Sequence, residues 1–174
     1  MTDKHALIQP DKGQAATAIH LVDKDGLEVF RKGLTAPQRA ALAAQKFEAD
    51  SFQSAIVPDG DDWFVVSGVA DAANLSSWCM AKLAETLPAG AYRRADGEPG
   101  PAMHGWVTGQ YRFDRYRKDD KAEGPRVLLT KDAKAIPTAL AEAQAVNLVR
   151  DLVNTPAEDM GPAQIEAEAE ALAK

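Results

Sequence analysis

The run Trp63-Phe64-Val65-Val66 decides the fold class, because it is apolar on both faces of the strand that it predicts. A strand buried on both faces lies inside a sheet that other elements cover on each side. Around this run, apolar spacing and turn residues alternate between the periods of strands and of helices. Strands are predicted at residues 18–22, 27–32, 52–57, 63–69, 91–94 and 126–130, and helices at residues 37–48, 71–87, 102–117 and 137–153. This alternation predicts an α/β domain with a central mixed sheet flanked by helices.

The first two predicted strands are expected to form a hairpin. Asp23-Lys24-Asp25-Gly26 lies between them and ends in a glycine, which suits a turn residue with a positive φ. A second turn, at residues 58–62, is expected to join the third strand to the buried run.

The composition excludes several classes of protein. The chain has 174 residues, 45% of them hydrophobic, and a formal net charge of −6. This content suffices for a core, and the acidic charge argues against a broad surface for nucleic acid or anionic membrane. No apolar run approaches the roughly 20 residues that cross a bilayer, and the amino terminus lacks the layout of a secretion signal. The single cysteine, Cys79, excludes an internal disulfide framework, so the sequence predicts a cytoplasmic protein without a membrane partner.

The C-terminal part of the chain differs from the rest. Residues 151–174 carry six acidic side chains and one basic side chain, a net charge of −5. The predicted helix at 137–153 is apolar nearly all round in its C-terminal half, which requires burial on more than one side. Beyond it, Gly161-Pro162 starts another helix whose thin apolar stripe is Ile165, Ala169 and Leu172. We expect this end of the chain to open a further domain.

The side chains that most often perform chemistry are scattered. His5, His20 and His104 are far apart, and no His-Glu-x-x-His or Cys-x-x-Cys motif occurs. Cys79, within a predicted helix, lacks a neighbouring histidine or basic cluster and is interpreted as a buried apolar side chain. No Gly-x-Ser-x-Gly motif supports a nucleophilic serine. The sequence therefore predicts no catalytic, cofactor-binding or metal-binding residue in this chain.

Acidic clusters and one glycine are interpreted as ordinary surface and turn. Asp59, Asp61 and Asp62 share a turn that lacks the ligand spacing of a calcium loop. Gly68 ends a buried strand before a predicted helix, where free N–H groups could hold an anion, but a plain strand-to-helix turn is the better interpretation. Glu166, Glu168 and Glu170 are spaced over the surface of the last helix, and the like charges of Glu166 and Glu170, one turn apart, indicate a solvated face.

Residues 110–118 form a basic and aromatic segment that suggests a nucleic-acid patch. Its cations could contact phosphates while a tyrosine stacks on a base. The residues in question are Arg112, Arg115, Arg117, Lys118, Tyr111 and Tyr116. However, Met103, Val107 and Tyr111 form an apolar stripe at helical spacing, and Gly105 and Gly109 allow close backbone approach. A helix packed on the sheet with a charged outer face is the better interpretation.

Two stretches, taken in order, resemble a known family. Arg150-Asp-Leu-Val-Asn-Thr-Pro-Ala-Glu-Asp-Met-Gly-Pro162 resembles the entry to the catalytic domain of leucyl (cytosol) aminopeptidases. Gly109-Gln-Tyr-Arg-Phe-Asp-Arg-Tyr116, followed by Val127-Leu-Leu129 and an alanine-rich helix, is similar to the end of that family's N-terminal domain. The resemblance covers about residues 104–165 and departs at Glu158, where the family usually has asparagine.

The resemblance implies a division of the chain and a role for it. Residues 1–135 would form the family's N-terminal α/β domain, of macro-domain-like fold, and residues 136–174 its interdomain helix and the first segment of the catalytic domain. Family members are typically hexameric and remove N-terminal residues from peptides with two divalent ions, zinc or manganese. The ligand motifs for those ions, including Asn-Thr-Asp-Ala-Glu-Gly-Arg, do not occur here. The resemblance therefore implies a chain that is inactive alone, that can be monomeric, and that has its own catalytic domain as partner.

Two other function classes stay open at this point. One is a free-standing macro-like module that binds a nucleotide such as ADP-ribose at the turn after Gly68. The other is an accessory domain that binds DNA through residues 110–118, and the acidic net charge ranks it last.

Overall fold

The computed structural model describes residues 7–116 and 124–173. The strands are β1 (Ile8–Pro10), β2 (Thr17–Val22), β3 (Ser54–Asp59), β4 (Asp62–Gly68), β5 (Gly90–Arg94) and β6 (Arg126–Thr130). The helices are α1 (Leu27–Gly33), α2 (Ala36–Ala44), α3 (Ala81–Thr86), α4 (Ala102–Thr108), α5 (Ile136–Asn154) and α6 (Pro162–Leu172). The predicted α/β class is confirmed.

The strands form one mixed sheet in the order β1-β6-β5-β2-β4-β3. Neighbouring strands are parallel except β3 and β4, which form the predicted hairpin around Gly60. Parallel neighbours require crossover connections, and helices supply them here. β4 lies between β2 and β3, and Val65 and Val66 are completely buried, as the apolar run predicted.

Helices cover the two faces of the sheet unequally. On one face, α3, α4 and the first half of α5 contribute to the larger core cluster, at whose centre Tyr92 and Trp106 pack against each other. The Trp106 Nε1–H donates to the Arg126 carbonyl at 2.9 Å, which satisfies the polar end of a fully buried ring. On the other face, a smaller cluster draws on α1, α2 and strands β2 to β4, and none of its members comes from β5, β6 or β1.

The hairpin predicted from residues 18–22 and 27–32 is wrong, because the second segment forms α1. Gly26 has a φ of −79°, not the positive value that the hairpin turn required. The Asp23 carboxylate accepts the Gly26 N–H at 2.8 Å, and the Phe30 N–H donates to the Gly26 carbonyl at 2.9 Å. The chain therefore turns directly into a helix, which directs Leu27 and Phe30 toward the sheet.

The helix predicted at residues 71–87 is mostly wrong, since residues 71–80 form turns and only α3 is helical. Asp71 Oδ1 accepts the N–H groups of Ala73 at 2.8 Å and of Asn74 at 3.0 Å. A side-chain oxygen that binds nearby N–H groups competes with the helical hydrogen bonds, so the helix begins later.

Two glycines of the α4 region lie against a neighbouring backbone. A Cβ at Gly105 would lie 2.4 Å from the Ser77 carbonyl oxygen, and one at Gly109 would lie 2.3 Å from the Ala81 carbonyl oxygen. Real Cβ atoms do not approach other atoms so closely, so both positions require glycine. The predicted close approach at these two positions is confirmed.

The outer strand β3 has a side chain bonded along its free edge. Gln45 Nε2 donates to the Ile56 carbonyl at 2.7 Å, and Gln45 Oε1 accepts the Ile56 N–H at 3.1 Å. Pro58 in the same strand has no N–H to offer, and Pro10 ends the opposite outer strand, β1.

Candidate functional site

The helix predicted at residues 102–117 ends at Thr108, and the segment that follows contacts the end of α5. Tyr111 Oη donates to Asp151 Oδ1 at 2.7 Å and accepts from Asn154 Nδ2 at 3.2 Å. Arg150 Nη1 donates to the Thr108 carbonyl at 2.7 Å, and its guanidinium lies 5.4 Å from the centre of the Tyr111 ring. We call these contacts, with the two described next, the junction.

The junction continues beyond the end of α5. Arg115 Nη1 donates to Thr155 Oγ1 at 3.3 Å, and Tyr116 Oη donates to the Asp159 carboxylate. Partial burial, followed by the hydrogen bond to Asp151, raises the pKa of the Tyr111 hydroxyl, which therefore stays a donor at neutral pH.

The basic and aromatic segment is thus engaged within the chain. Arg115 and both tyrosines contact the α5 side of the junction, and Arg112 Nη1 donates to the Tyr111 carbonyl at 2.9 Å. The segment is not helical beyond Thr108, so the predicted helix with a charged outer face is wrong there. Arg117 and Lys118 lie outside the described residues.

The second half of α5 and the whole of α6 expose apolar side chains. Ile136, Ala139 and Ala143, in the first half of α5, belong to the core. Val149 and Val153 are 58% and 76% exposed, and α6 has no buried residue at all. Ile165 and Leu172 on α6 are 54% and 71% exposed. We call these four exposed side chains the α5–α6 apolar face.

The histidines do not form a site together. His20, on β2, packs against Phe30 and Phe64, with ring centres 5.3 Å and 5.2 Å away, while His104, on α4, packs against Trp78. His5 lies outside the described residues. Across residues 7–116 and 124–173, no group of three or more His, Cys, Asp or Glu side chains is placed to hold a metal ion.

Cys79 and the acidic turn have the surroundings that the sequence indicated. Cys79 is buried, its Sγ donates to the Ser76 carbonyl at 3.2 Å, and burial raises the pKa of the thiol, although it lies in a turn and not in a helix. Asp59, Asp61 and Asp62 are exposed at the β3–β4 hairpin.

Gly68 is explained by packing. A Cβ there would lie 2.1 Å from the Asp50 carbonyl oxygen and 2.6 Å from the Ala49 carbonyl carbon. No helix begins directly after it among the described residues, because the chain forms turns until α3. The strand-to-helix turn expected here is therefore wrong, and with it the helix N-terminus that would have held an anion.

Comparison with known proteins identifies the class to which this fold belongs. Residues 17–129 match the family model for the N-terminal domain of M17 aminopeptidases. The chain therefore belongs to the M17 aminopeptidase family, as an N-terminal domain of the cytosol aminopeptidase type.

Individual relatives agree with this. The chain is 30% identical to a probable cytosol aminopeptidase of Chelativorans sp., over 95% of this chain and 37% of that protein. It is 40% identical to a probable cytosol aminopeptidase of Nitratidesulfovibrio vulgaris, over 40% of this chain and 16% of that protein. The chain spans little more than a third of the Chelativorans relative's length.

Solved structures show the same fold. The cytosol aminopeptidase of Coxiella burnetii superposes with a TM-score of 0.76 at 24% identity, over 96% of this chain and 37% of that one. The bottromycin maturation enzyme BotP in complex with Mn superposes with a TM-score of 0.66 at 25% identity, over 91% of this chain and 36% of that one. No helix in the described part of the chain is long and apolar enough to cross a membrane.

Proposed function

We propose that this chain is the non-catalytic N-terminal part of an aminopeptidase that removes N-terminal residues from peptides. In this proposal residues 1–135 form the macro-like N-terminal domain, and residues 136–174 lead into the catalytic domain, which is the chain's main partner. The whole protein would be cytoplasmic and hexameric through its catalytic domains, as the family resemblance implies.

The observation that carries this proposal is the α5–α6 apolar face. Four large apolar side chains on two successive helices are exposed, and such a surface is typical of a contact with another domain. The junction supports the same role, because it fastens the end of α5 and the loop that follows to the N-terminal domain. A catalytic domain that docks on α5 and α6 would bury this face.

The described residues do not fit the two divalent ions that the family implies. Their histidines are scattered, and none of their carboxylate or thiol groups is gathered with two others in a metal-binding arrangement. We therefore assign zinc or manganese, and with it the chemistry of activating a water, to the catalytic domain.

The first experiment tests for activity. The purified 174-residue chain, supplied with zinc or manganese and a leucine anilide, is expected to release no product above a metal-only blank. Turnover that survives rigorous removal of contaminating peptidases, and that is lost when Asp59, Asp61 and Asp62 are replaced by alanine, would overturn the non-catalytic assignment.

The second experiment tests the docking face. In a chimera, this chain replaces the matching N-terminal part of the Chelativorans relative, and its thermal unfolding and leucine-anilide turnover are measured. We expect Val153→Asp and Ile165→Asp to lower the unfolding temperature and the turnover, because each would bury an unpaired carboxylate. The control is Phe52→Asp, at a position that is 52% exposed in the turn before β3 and has a φ of 67°, which aspartate tolerates, and it is expected to change neither. Equal behaviour of all three variants would contradict the docking role.

A further inference from the structure

A groove of about 970 Å³ lies on the face of the sheet that α1 covers only in part. Ala18 of β2 and Ala91 of β5 contribute to its lining, and these small side chains leave room above the strands. The loop at residues 13–16 and the side of α1 also line it. Its volume is at the upper end of the range that binds small molecules, about 300–1,000 Å³.

One part of the lining is aromatic and apolar. The Phe30 and Phe64 rings lie 5.3 Å and 5.2 Å from the His20 ring, and Phe30 is half-buried while Phe64 is nearly buried. Trp63 also lines the groove, but its ring packs against Tyr92 on the other face of the sheet. Leu34, at the end of α1, is half-buried in the same groove. A ligand with an apolar side chain can therefore remove water from the half-buried Phe30 and Leu34, a gain of about 25 cal/mol for each Å² buried.

The charged part of the lining is mainly acidic. Asp59, Asp62 and Asp96 contribute carboxylates, and the Asp96 carboxylate lies 3.4 Å from His20 Nδ1. Among the described residues that line the groove, the one arginine is Arg93, and its guanidinium is held at 3.1 Å by Asp11, a carboxylate that does not line this groove. The groove is thus negatively charged next to aromatic rings, and both features favour a cation.

We propose that this groove binds a ligand with a free ammonium group next to an apolar side chain, such as the amino end of a peptide or a small amino-acid amide. The carboxylates pair with the ammonium group, and the Phe30 and Leu34 side chains pack on the apolar part. The chemical class of the ligand is inferred from the residues that line the groove and does not depend on the proposed function. That the natural ligand is a substrate or product of peptide cleavage rests on the proposed function.

The test is a titration of the 174-residue chain with leucine amide, followed by ¹H–¹⁵N chemical shifts. We expect saturable shifts at the backbone amides of Ala18, His20 and Ala91. N-acetyl-leucine amide has the same side chain without the cation and is the matched ligand control, for which we expect no saturation in the same concentration range. Shifts that are equal for both ligands, or absent for leucine amide, would overturn the proposal.

Variants then test the carboxylates. Asp62→Asn and Asp96→Asn are each expected to weaken leucine-amide binding by about two- to fivefold, the range of a partly exposed ion pair. The control is Asp61→Asn, in the same turn as Asp62 but outside the groove lining, and it is expected to leave the affinity unchanged. Equal weakening by all three would show a general charge effect and overturn the specific site. Loss of leucine-amide binding leaves the docking experiment on the chimera unaffected, so the two proposals fail separately.

Discussion

The substitution Gly105→Ala tests how closely α4 packs on the turn that precedes α3. The new Cβ would lie 2.4 Å from the Ser77 carbonyl oxygen, 3.1 Å from the Trp78 Cα and 3.3 Å from the Ala81 nitrogen. All three are backbone atoms, which cannot move aside as the end of a flexible side chain can. Overpacking of this kind costs up to about 3 kcal/mol, while alanine in a helix gains about 1 kcal/mol over glycine. We therefore expect a net loss of about 2 kcal/mol in the free energy of unfolding.

Thermal and urea unfolding measure this loss. For a chain of this length, 2 kcal/mol corresponds to a fall of about 4–8 °C in the unfolding temperature. The matched control is Gly33→Ala, at the last residue of α1, where a Cβ would meet nothing within 4 Å. That variant is expected to be more stable by about 0.4–1 kcal/mol. If Gly105→Ala is as stable as the unchanged chain while Gly33→Ala behaves as expected, the close approach of α4 is refuted.

Three further predictions concern the junction, the last helix and one carboxylate. Tyr111→Phe removes the hydrogen bonds to Asp151 and Asn154 and should lower the unfolding free energy by about 0.5–1.5 kcal/mol in urea, and this loss should be smaller in a background of Asp151→Ala, where only the bond from Asn154 is left to remove. In hydrogen exchange, the amides of α6 should exchange much faster than those of β4, because α6 buries no side chain; equal protection would show that α6 packs firmly. The N–H groups of Ala72 and Gly26 lower the pKa of Asp23, so the folded state gains stability from its ionised form above the ordinary pKa and loses it as the pH falls through the lowered value. The stability difference between the unchanged chain and Asp23→Asn should therefore be constant near neutral pH and shrink in acid, and a difference that grows in acid would contradict this sign.

The sequence predicted those elements whose burial is periodic and extensive. β4, β6 and α5 lie where the apolar patterns placed them, because each of these segments has core residues at its expected spacing. The sequence-based prediction failed where one polar side chain determines the local backbone conformation. The Asp23 carboxylate binds the N–H of Gly26 where α1 begins in place of the predicted second strand, and the Asp71 carboxylate binds N–H groups in the turns that precede α3. β1, with three residues, is too short for a period to be visible.

The junction could not have been predicted residue by residue. Tyr111 and Asp151 are 40 positions apart, and their contact depends on how α5 returns across α4. The sequence contains a partial indication of the junction, because Tyr111, Arg115 and Tyr116 place two hydroxyl groups and one cation in a short segment. The same residues would suit a nucleic-acid contact equally well. The groove has no linear signal either, because its lining comes from four strands, one helix and three connecting segments.

The Gln45 side chain that bonds to Ile56 acts as a one-residue substitute for a seventh strand. Gln45 occupies the outward N–H and carbonyl of Ile56, and Pro58 removes the next N–H donor along the same edge of β3. A strand from another chain therefore meets an incomplete row of backbone donors and acceptors there. The far edge is similarly limited, because β1 is short and ends at Pro10. Sheets of separate copies therefore lack a ready means of joining side by side, so this domain can be concentrated without polymerising through the edges of its sheet.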